Sequence, residues 1–325
     1  PPEQEMRNMS AAPRLTVGLP VYNGENFLAE SLDALLGQTY RDFELIISDN
    51  ASTDGTAAIA RRYAELDGRV RYVRHQRNIG ATPNHNFVAQ EARGELFKWA
   101  SHDDLYARDL IERCVTALDE QPDILLAHSW TAIIDSSGDV VKAVRYPLAT
   151  DAVRAPERFR SMLFESGGDD YYGLIRTRDL RQVLPQRSHH HADRTLVTEL
   201  ALRGQFYQIP EWLYYRRDHP EQAERANPTM RTRCANMDPR RASRLRNPAA
   251  RLYGEYLWGF VAAIRNAGLS AHDRRECYRY LGEWAKSRLA PGAPRQVGEQ
   301  PAADLPPGAQ VSVGSVVAGQ ESRHR

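Results

Sequence analysis

The chain has 325 residues, of which 42% are hydrophobic and 26% are charged, with a formal net charge of +1. This composition is typical of a globular protein, and the near-neutral charge argues against nucleic acid as a partner, because nucleic-acid-binding domains are usually strongly basic. The widely spaced cysteines (Cys114, Cys234 and Cys277) favour a reducing compartment, and the apolar run 257–264 is too short to span a bilayer. We therefore expect a cytoplasmic protein that touches the inner face of a membrane peripherally at most.

Predicted strands alternate with predicted helices through the first half of the chain. The apolar patterns predict strands over 15–21, 43–49, 70–73, 95–100, 124–127 and 131–134. They predict helices over 27–36, 56–66, 82–92 and 107–120. Further along, they predict helices over 151–165 and 194–203 and a strand within 204–215. The alternation predicts an α/β fold, a Rossmann-like and mainly parallel sheet flanked by helices.

Polar side chains follow three of the predicted strands. Tyr22 and Asn23 follow the first strand, the segment 49–54 ends the second, and Asp103 and Asp104 follow the fourth. In open α/β sheets, ligands bind beyond the carboxyl ends of the strands, so these residues predict one site. A dinucleotide fold would require the pattern G-x-G-x-x-G after the first strand, whereas a single glycine occurs there.

Four of these segments resemble a known family. Pro20-Val-Tyr-Asn-Gly-Glu25, Asp49-Asn-Ala-Ser-Thr-Asp-Gly-Thr56, Arg77-Asn-Ile-Gly80 and His102-Asp-Asp104 are similar, in this order, to motifs of the family 2 glycosyltransferases. The resemblance covers about 14–222 and implies a GT-A fold. It also implies a nucleoside diphosphate sugar donor, which we expect to be UDP-linked, and an acceptor that bears a hydroxyl group.

The resemblance places the base and ribose of the donor near the first three motifs. The residues expected there are Pro20, Tyr22, Glu25, Asp49 and Asn78. Carboxylates suit this role because ribose hydroxyls and the uracil N–H are hydrogen-bond donors. For Tyr22 and Asn78 the alternative is a structural role in the turns.

The resemblance also implies a divalent metal ion. Asp103 aligns with the aspartate that usually holds the ion, and Ser101 replaces the first aspartate of the family's Asp-x-Asp motif. Oxygen ligands beside a diphosphate suit Mn²⁺ or Mg²⁺. His219 is the second candidate ligand, and Arg216 and Arg217 would balance phosphate charge. Asp104 has the alternative role of capping the helix that begins near 107.

The acceptor side is expected in the loop 167–173. It resembles the family's acceptor loop and supplies Asp169, Asp170 and Tyr172 as candidate contacts, with an ordinary polar surface loop as the alternative.

Asp193 is the candidate general base. It aligns with the aspartate of a Glu-Asp pair in the family, with Ala192 in place of the glutamate, and would accept the proton of the acceptor hydroxyl. The alternative is a cap on the helix 194–203. The preceding histidines 189–191 do not favour zinc, because adjacent residues cannot easily all face one ion.

The domain organisation follows from these patterns. We expect a flexible N-terminus (1–13), a glycosyltransferase domain (14–222), a basic linker with a helical hairpin (223–290) and a disordered tail (291–325). The basic residues of the linker are Arg225, Arg231, Arg233, Arg240, Arg241, Arg244 and Arg246. They predict docking to an anionic surface such as a membrane, and a solvated linker with a homodimer contact is the equal alternative.

Together these features predict an inverting, metal-dependent transferase of the hexosyl type, with Asp193 as its base. Two other functions stay open. One is a sugar-nucleotide-binding protein without transfer activity. The other is a sugar nucleotidyltransferase of similar fold, although its glycine-rich triphosphate loop is missing after the first strand.

Overall fold

The structure is a computed structural model, and it describes residues 12–165, 167, 169–243 and 245–289. Within these residues nine strands form one sheet. They are β1 (Leu15–Val21), β2 (Phe43–Asp49), β3 (Val70–Arg74), β4 (Leu96–Trp99), β5 (Leu105–Tyr106), β6 (Ile124–Ile134), β7 (Val140–Val144), β8 (Leu174–Arg176) and β9 (Gln205–Arg217).

Helices flank the sheet and continue beyond it. They are α1 (Leu28–Leu36), α2 (Thr56–Leu66), α3 (Ala81–Gln90), α4 (Leu110–Glu120), α5 (Ala155–Phe164), α6 (Thr177–Val183), α7 (Ala192–Arg203), α8 (Ala223–Ala226), α9 (Met230–Met237), α10 (Ala249–Asn266) and α11 (Ala271–Leu289). None of these helices, which are those of the described residues, is both long and apolar enough to cross a membrane.

The sheet is mainly parallel, as the sequence predicts. Its order is β3-β2-β1-β4-β8-β6-β9-β5, and β7 pairs with β6. Strands β3, β2, β1 and β4 are parallel neighbours, and β6 and β9 run in the same direction. The short strands β5, β7 and β8 run the opposite way. The carboxyl ends of β1, β2 and β4 therefore meet at one edge.

The parallel strands are buried on both faces, which explains their nearly continuous apolar sequences. In β2, Leu45 and Ile47 pack into the core on one face of the sheet, and Ile46 packs into the core on the other. A third cluster, which includes Phe159 and Phe260, joins α5 to the C-terminal helices. The sheet is thus a rigid support for the polar loops at its edge.

The structure differs from the sequence prediction mainly in the second half of the sheet. The strands predicted over 124–127 and 131–134 are one strand, β6, because its pairing with β9 continues through register shifts near Trp130. Strands β5 and β7 and helix α6 were not predicted. Helix α4 begins at Leu110 rather than near 107.

The segment after β9 is more ordered than a linker. It contains α8, α9 and a 3₁₀ turn at Pro239–Arg241. The two helices of the predicted hairpin are confirmed as α10 and α11, which pack on α7 and α5 respectively. The predicted tail 291–325, the predicted flexible residues 1–11 and Arg244 lie outside the described residues.

Gly80, which immediately precedes α3, allows this C-terminal segment to approach the sheet edge. It has φ +94°, and a Cβ there would lie 2.5 Å from the carbonyl oxygen of Met237 and 2.9 Å from Pro239 Cδ. We expect Gly80→Ala to lower the free energy of unfolding in urea by about 2 kcal/mol, because both the backbone conformation and the contact become strained. Gly68→Ala is the control, since Gly68 has no atom within 4 Å of a built Cβ. Equal stabilities of the two variants would contradict this close approach.

Candidate active site

An open cleft of about 1860 Å³ runs along the edge where the carboxyl ends of β1 and β4 meet. Its walls also include the loop before β8, the start of α7, the end of β9 and the C-terminal helices. The structure brings most of the predicted site residues to this one cleft: Pro20, Tyr22, Glu25, Asn78, Asp103, Asp169, Tyr172, Asp193, Arg216 and His219. Asp49 and Asp170 are buried beside the cleft rather than in its lining.

The loops after β1 and β2 fix each other by hydrogen bonds. The N–H of Asn23 donates to Ser52 Oγ at 3.0 Å, and Asn23 Oδ1 accepts from the N–H of Thr53 at 2.8 Å. Glu25 Oε2 accepts from the N–H of Gly55 at 2.6 Å. Glu25 therefore already holds one loop against the other at the place where the donor is expected.

Asp49 is fully buried, and both of its carboxylate oxygens are occupied. Oδ1 accepts from the N–H of Ser52 at 2.7 Å, and Oδ2 accepts from the Tyr72 hydroxyl at 2.8 Å. In this structure Asp49 fixes the loop after β2, and its contact with base or ribose stays a prediction. The next residue, Asn50, lines the cleft and bonds Asn78 at 3.1 Å. Asn50 belongs to the polar segment 49–54 that the sequence predicts at this edge, although it is not among the residues expected to contact base or ribose.

Asp103 and His219 lie together at the centre of the cleft. His219 Nε2 is 3.1 Å from Asp103 Oδ2, and the Ser101 hydroxyl donates to Oδ1. Burial acts to raise the pKa of Asp103, but the charge of His102 and the hydrogen bonds from His219 and Ser101 outweigh it. The pKa of Asp103 is held well below its usual range. Asp103 therefore presents an ionised carboxylate beside an imidazole.

Asp104 has the opposite character. Its Oδ1 accepts from the N–H of Arg217 at 2.9 Å, and its Oδ2 accepts from the Tyr214 hydroxyl. Burial, reinforced by the charge of Asp103, raises the pKa of Asp104 to about 8. The capping role predicted as its alternative is wrong, because α4 begins only at Leu110 and Asp104 bonds to β9 instead.

Successive residues of β9 point to opposite sides, as strand geometry requires. Arg216 lines the cleft, where its Nη1 lies 3.2 Å from Asp169 Oδ1. Arg217 is fully buried, and its Nη2 lies 2.6 Å from Glu30 Oε2. The expectation that Arg217 balances phosphate charge is therefore wrong, because its side chain does not line the cleft. Asp169 also accepts from the Tyr146 hydroxyl at 2.7 Å, so it is held in place by two partners.

The loop before β8 places its two other acceptor candidates differently. Tyr172 lines the cleft, and its carbonyl accepts from the buried ammonium of Lys98. Asp170 is 1% exposed, and its Oδ2 has no hydrogen-bond partner within the described part of the chain. Burial raises the pKa of Asp170 to about 6, opposed by Arg194 and reinforced by Asp169 and Asp193. A contact of Asp170 with the acceptor stays a prediction.

Asp193 is half-buried in the first turn of α7. The helix begins at Ala192, after His191 with φ +51°, and no side chain caps it. The alternative of Asp193 as a helix cap is therefore wrong, because the helix starts earlier than predicted. Asp193 has no hydrogen bond to any residue that the structure describes. Its charge is favoured by the helix dipole, and the carboxylate faces the cleft.

Comparison with known proteins agrees with this arrangement. The model of glycosyl transferase family 2 matches residues 16–180, slightly more than half of the chain. The chain belongs to this family. An uncharacterized glycosyltransferase of Rickettsia typhi is 34% identical over 115 residues, 35% of each chain. The putative glycosyltransferase EpsE of Bacillus subtilis is 30% identical over 131 residues, 40% of this chain and 47% of EpsE. The matched part thus spans less than half of either relative.

Solved structures support the same fold. A crystal structure of residues 1–349 of TarS from S. aureus in complex with UDP has a TM-score of 0.58 and 17% identity. The match covers 85% of this chain and 72% of TarS 1–349. A second TarS structure, in complex with UDP-GlcNAc, has a TM-score of 0.51 and 17% identity, and the match covers 86% and 82% of the two chains. At this level of identity the likeness concerns the fold, and it confirms the GT-A type.

The histidines before Asp193 have separate contacts. The rings of His190 and His191 are tilted by 46° with centroids 3.8 Å apart, and His189 Nε2 lies 3.3 Å from Thr195 Oγ1. Within the described residues, the group of three or more metal-capable side chains that lie close enough to share an ion is His272, Asp273 and Glu276. They belong to α11, where both carboxylates pair with Arg154.

Most arginines of the basic segment bond to their own chain. Arg225 pairs with Asp218 at 2.6 Å, Arg240 pairs with Asp238 at 2.9 Å, and Arg241 pairs with Glu255. Arg231 and Arg233 donate to backbone carbonyls, and Arg233 also lines the cleft. These contacts stabilise a folded segment, and they account for much of the basic charge that suggested membrane docking.

We expect Asp170→Asn to change how stability depends on pH. The unfolded carboxyl has a pKa of about 3.9, whereas the folded one is raised to about 6, so between these values the folded state alone retains the proton. The stability contributed by this group is therefore complete below pH 4 and is lost as the pH rises to 6. The free energy of unfolding in urea should therefore fall by about 1–3 kcal/mol less between pH 4 and pH 6 in the variant than in the wild type. Asp123→Asn, at an exposed aspartate, is the control. If the two variants showed the same dependence of stability on pH, the raised pKa of Asp170 would be contradicted.

Proposed function

We propose that this chain transfers a sugar from a UDP-linked nucleoside diphosphate sugar to a hydroxyl group of an acceptor, with inversion at the anomeric carbon. The observation that carries the proposal is the shared cleft, in which the Asp103–His219 pair and the carboxylate of Asp193 both lie. UDP as the nucleotide rests on the fold likeness to TarS, whose structures hold UDP and UDP-GlcNAc.

The donor end of the cleft suits a nucleotide. Tyr22 is 43% exposed and offers a ring face to the base, while Glu25 and the amides of Asn50 and Asn78 surround the same opening. Carboxylate and amide oxygens accept from ribose hydroxyls, and the amide nitrogens donate to base carbonyls. Arg216 supplies positive charge to the diphosphate, and Asp169 holds its guanidinium in place.

The residues between the donor and acceptor ends fit a divalent cation. Asp103 offers an ionised oxygen, His219 offers a nitrogen 3.1 Å away, and the remaining ligand positions suit diphosphate oxygens and water. His219 Nδ1 is buried without a hydrogen-bond partner among the described residues, so no acceptor in this part of the chain fixes its tautomer. Bound Mn²⁺ or Mg²⁺ would neutralise charge on the departing diphosphate.

Asp193 supplies the proton acceptor. As the acceptor oxygen attacks the anomeric carbon, the bond from that carbon to the diphosphate oxygen breaks, and Asp193 takes the hydroxyl proton. The single displacement inverts the configuration and requires no protein nucleophile. The absence of a hydrogen bond to Asp193 among the described residues leaves its oxygens available for this proton.

Product analysis tests the activity. The full chain is incubated with UDP-glucose, UDP-GlcNAc, UDP-galactose or GDP-mannose, with Mn²⁺ and a panel of sugar acceptors, and products are identified by mass spectrometry. We expect a transferred sugar and release of the nucleoside diphosphate. Nucleotide binding without turnover would indicate a binding protein, and pyrophosphate release from a nucleoside triphosphate and a sugar phosphate would indicate a nucleotidyltransferase. The cytoplasmic location, the homodimer and the peripheral membrane contact stay predictions.

We expect Asp103→Asn to weaken binding of Mn²⁺ to the UDP complex by tenfold or more, because an anionic ligand becomes neutral. Isothermal titration measures this independently of activity, and transfer should fall in parallel, as it should for wild type in EDTA. Asp109→Asn, in the same segment but outside the cleft lining, is the control. Full transfer activity in EDTA would rule out a role for the metal.

We expect Asp193→Asn to lower the turnover number for transfer by about 10²-fold or more, because the amide cannot take a proton from the acceptor. The affinity for UDP should stay near wild type, since Asp193 lies at the acceptor end. Asp179→Asn removes the equivalent first-turn carboxylate of α6 and controls for the loss of helix-dipole stabilisation. Near-normal turnover with normal UDP affinity would remove Asp193 from the mechanism, and attention would pass to Asp169.

A further inference from the structure

The hairpin of α10 and α11 contributes an aromatic wall to the cleft beside Asp193. This aromatic wall consists of Tyr253, Tyr256, Leu257, Phe260, Trp284 and Arg288, all of which line the cleft. Tyr253 is 62% exposed and Leu257 is 39% exposed, so the wall presents apolar surface to the cleft rather than to another part of the described protein. None of these residues has a role in the chemistry proposed above.

The wall is continuous with the start of α7. The ring of Tyr256 lies 5.5 Å from that of His191, 5.0 Å from that of Phe260 and 5.9 Å from that of Trp284. The guanidinium of Arg288 lies 5.5 Å from the Trp284 ring. Because His191 directly precedes the helix turn that carries Asp193, the wall begins beside the proposed base.

A glycine sets the distance between the wall and α7. A Cβ at Gly259 would lie 2.8 Å from Thr195 Cγ2 and 2.9 Å from His189 Nε2, so α10 can pack this closely on α7 only with glycine there. The close packing holds the aromatic face of α10 against the first turn of α7. The position of the wall is therefore fixed by the fold.

We propose that the aromatic wall is the acceptor subsite and that it binds a glycan, an oligosaccharide whose ring next to the reacting sugar stacks on Tyr253 and Tyr256. This proposal rests on the function proposed above, because Asp193 defines where the accepting hydroxyl lies. Aromatic faces suit the apolar faces of sugar rings, and hydroxyl groups at the ring edge require polar partners.

Polar groups beside the wall favour a glycan over an alkyl chain. Asn236 and Arg233, from α9, line the same part of the cleft, and the Arg288 guanidinium lies over Trp284. The Tyr256 hydroxyl has no hydrogen-bond partner among the described residues. A polyhydroxylated ligand can bond to the Tyr256 hydroxyl and the Asn236 amide, whereas a hydrocarbon would desolvate both groups without a hydrogen bond.

An array of defined oligosaccharides tests the proposal. The full chain, with UDP and Mn²⁺ present, is applied to the array, and the affinity for the best glycan is then measured in solution. We expect Tyr253→Ala to weaken that affinity about tenfold while the affinity for UDP stays unchanged. Trp258→Ala is the matched control, because Trp258 is a 51% exposed aromatic residue of the same helix that does not line the cleft. It should change glycan affinity less than twofold.

Three outcomes would overturn the proposal. They are binding of no array glycan by the wild-type chain, equal effects of the two variants, and tighter, Tyr253-dependent binding of geranylgeranyl phosphate than of any glycan. UDP binding and donor turnover are measured separately, so their failure would count against the proposed function and not against the wall. Glycan binding that depends on Tyr253 would support the aromatic wall as a glycan-binding subsite even if UDP binding and donor turnover were not observed.

Discussion

A fully buried arginine, Arg217, joins the parts of the chain that form the centre of the cleft. Its Nε donates to the carbonyl of Asp103 at 2.8 Å, and its Nη1 donates to the carbonyls of Asp135 and Ser136. Its Nη2 pairs with Glu30, which is on α1. A buried guanidinium is tolerated when its donors are satisfied, and its removal would leave several carbonyls without partners. The position of Asp103 therefore depends on a residue that never reaches the cleft.

At the end of β9, neighbouring residues have different roles: one supports the fold and the others line the cleft. Because side chains alternate along β9, Arg217 points into the protein and Arg216 into the cleft, and His219 follows just beyond the strand. The N–H of Arg217 also holds Asp104, whose pKa is raised by burial and by the charge of Asp103, while the pKa of Asp103 is lowered. Two adjacent carboxyls thus differ because one has positive and hydrogen-bonding neighbours and the other is buried beside a negative charge.

Sequence reasoning succeeded where a local pattern determines the structure. Buried parallel strands have continuous apolar sequences, and their ends meet at one edge, so the first half of the sheet and most cleft residues could be predicted. It failed where tertiary contacts determine the conformation or the partners of a residue. Asp49 and Asn50 are adjacent, polar and buried, and only tertiary contacts direct Asp49 to the Tyr72 hydroxyl and Asn50 to the cleft. The start of α7 depends on the positive φ of His191, and the residue types around His191 do not indicate that conformation. Strand β7 has four apolar residues among five, but only Ala143 is buried, and the strand is held at the sheet by its pairing with β6.

The proposed donor loops and the proposed acceptor surface come from different parts of the chain. The match to the family covers residues 16–180, which includes the proposed donor loops and Asp103. Asp193, His219 and the aromatic wall all come after it, on α7, after β9 and on the hairpin. Donor chemistry constrains the first region strongly, because nucleotide, diphosphate and cation each require fixed polar groups. An acceptor needs a base and a surface that fits it, and this surface can change with few consequences for the sheet. The acceptor preference of this chain should therefore be sought in the hairpin and its packing on α7.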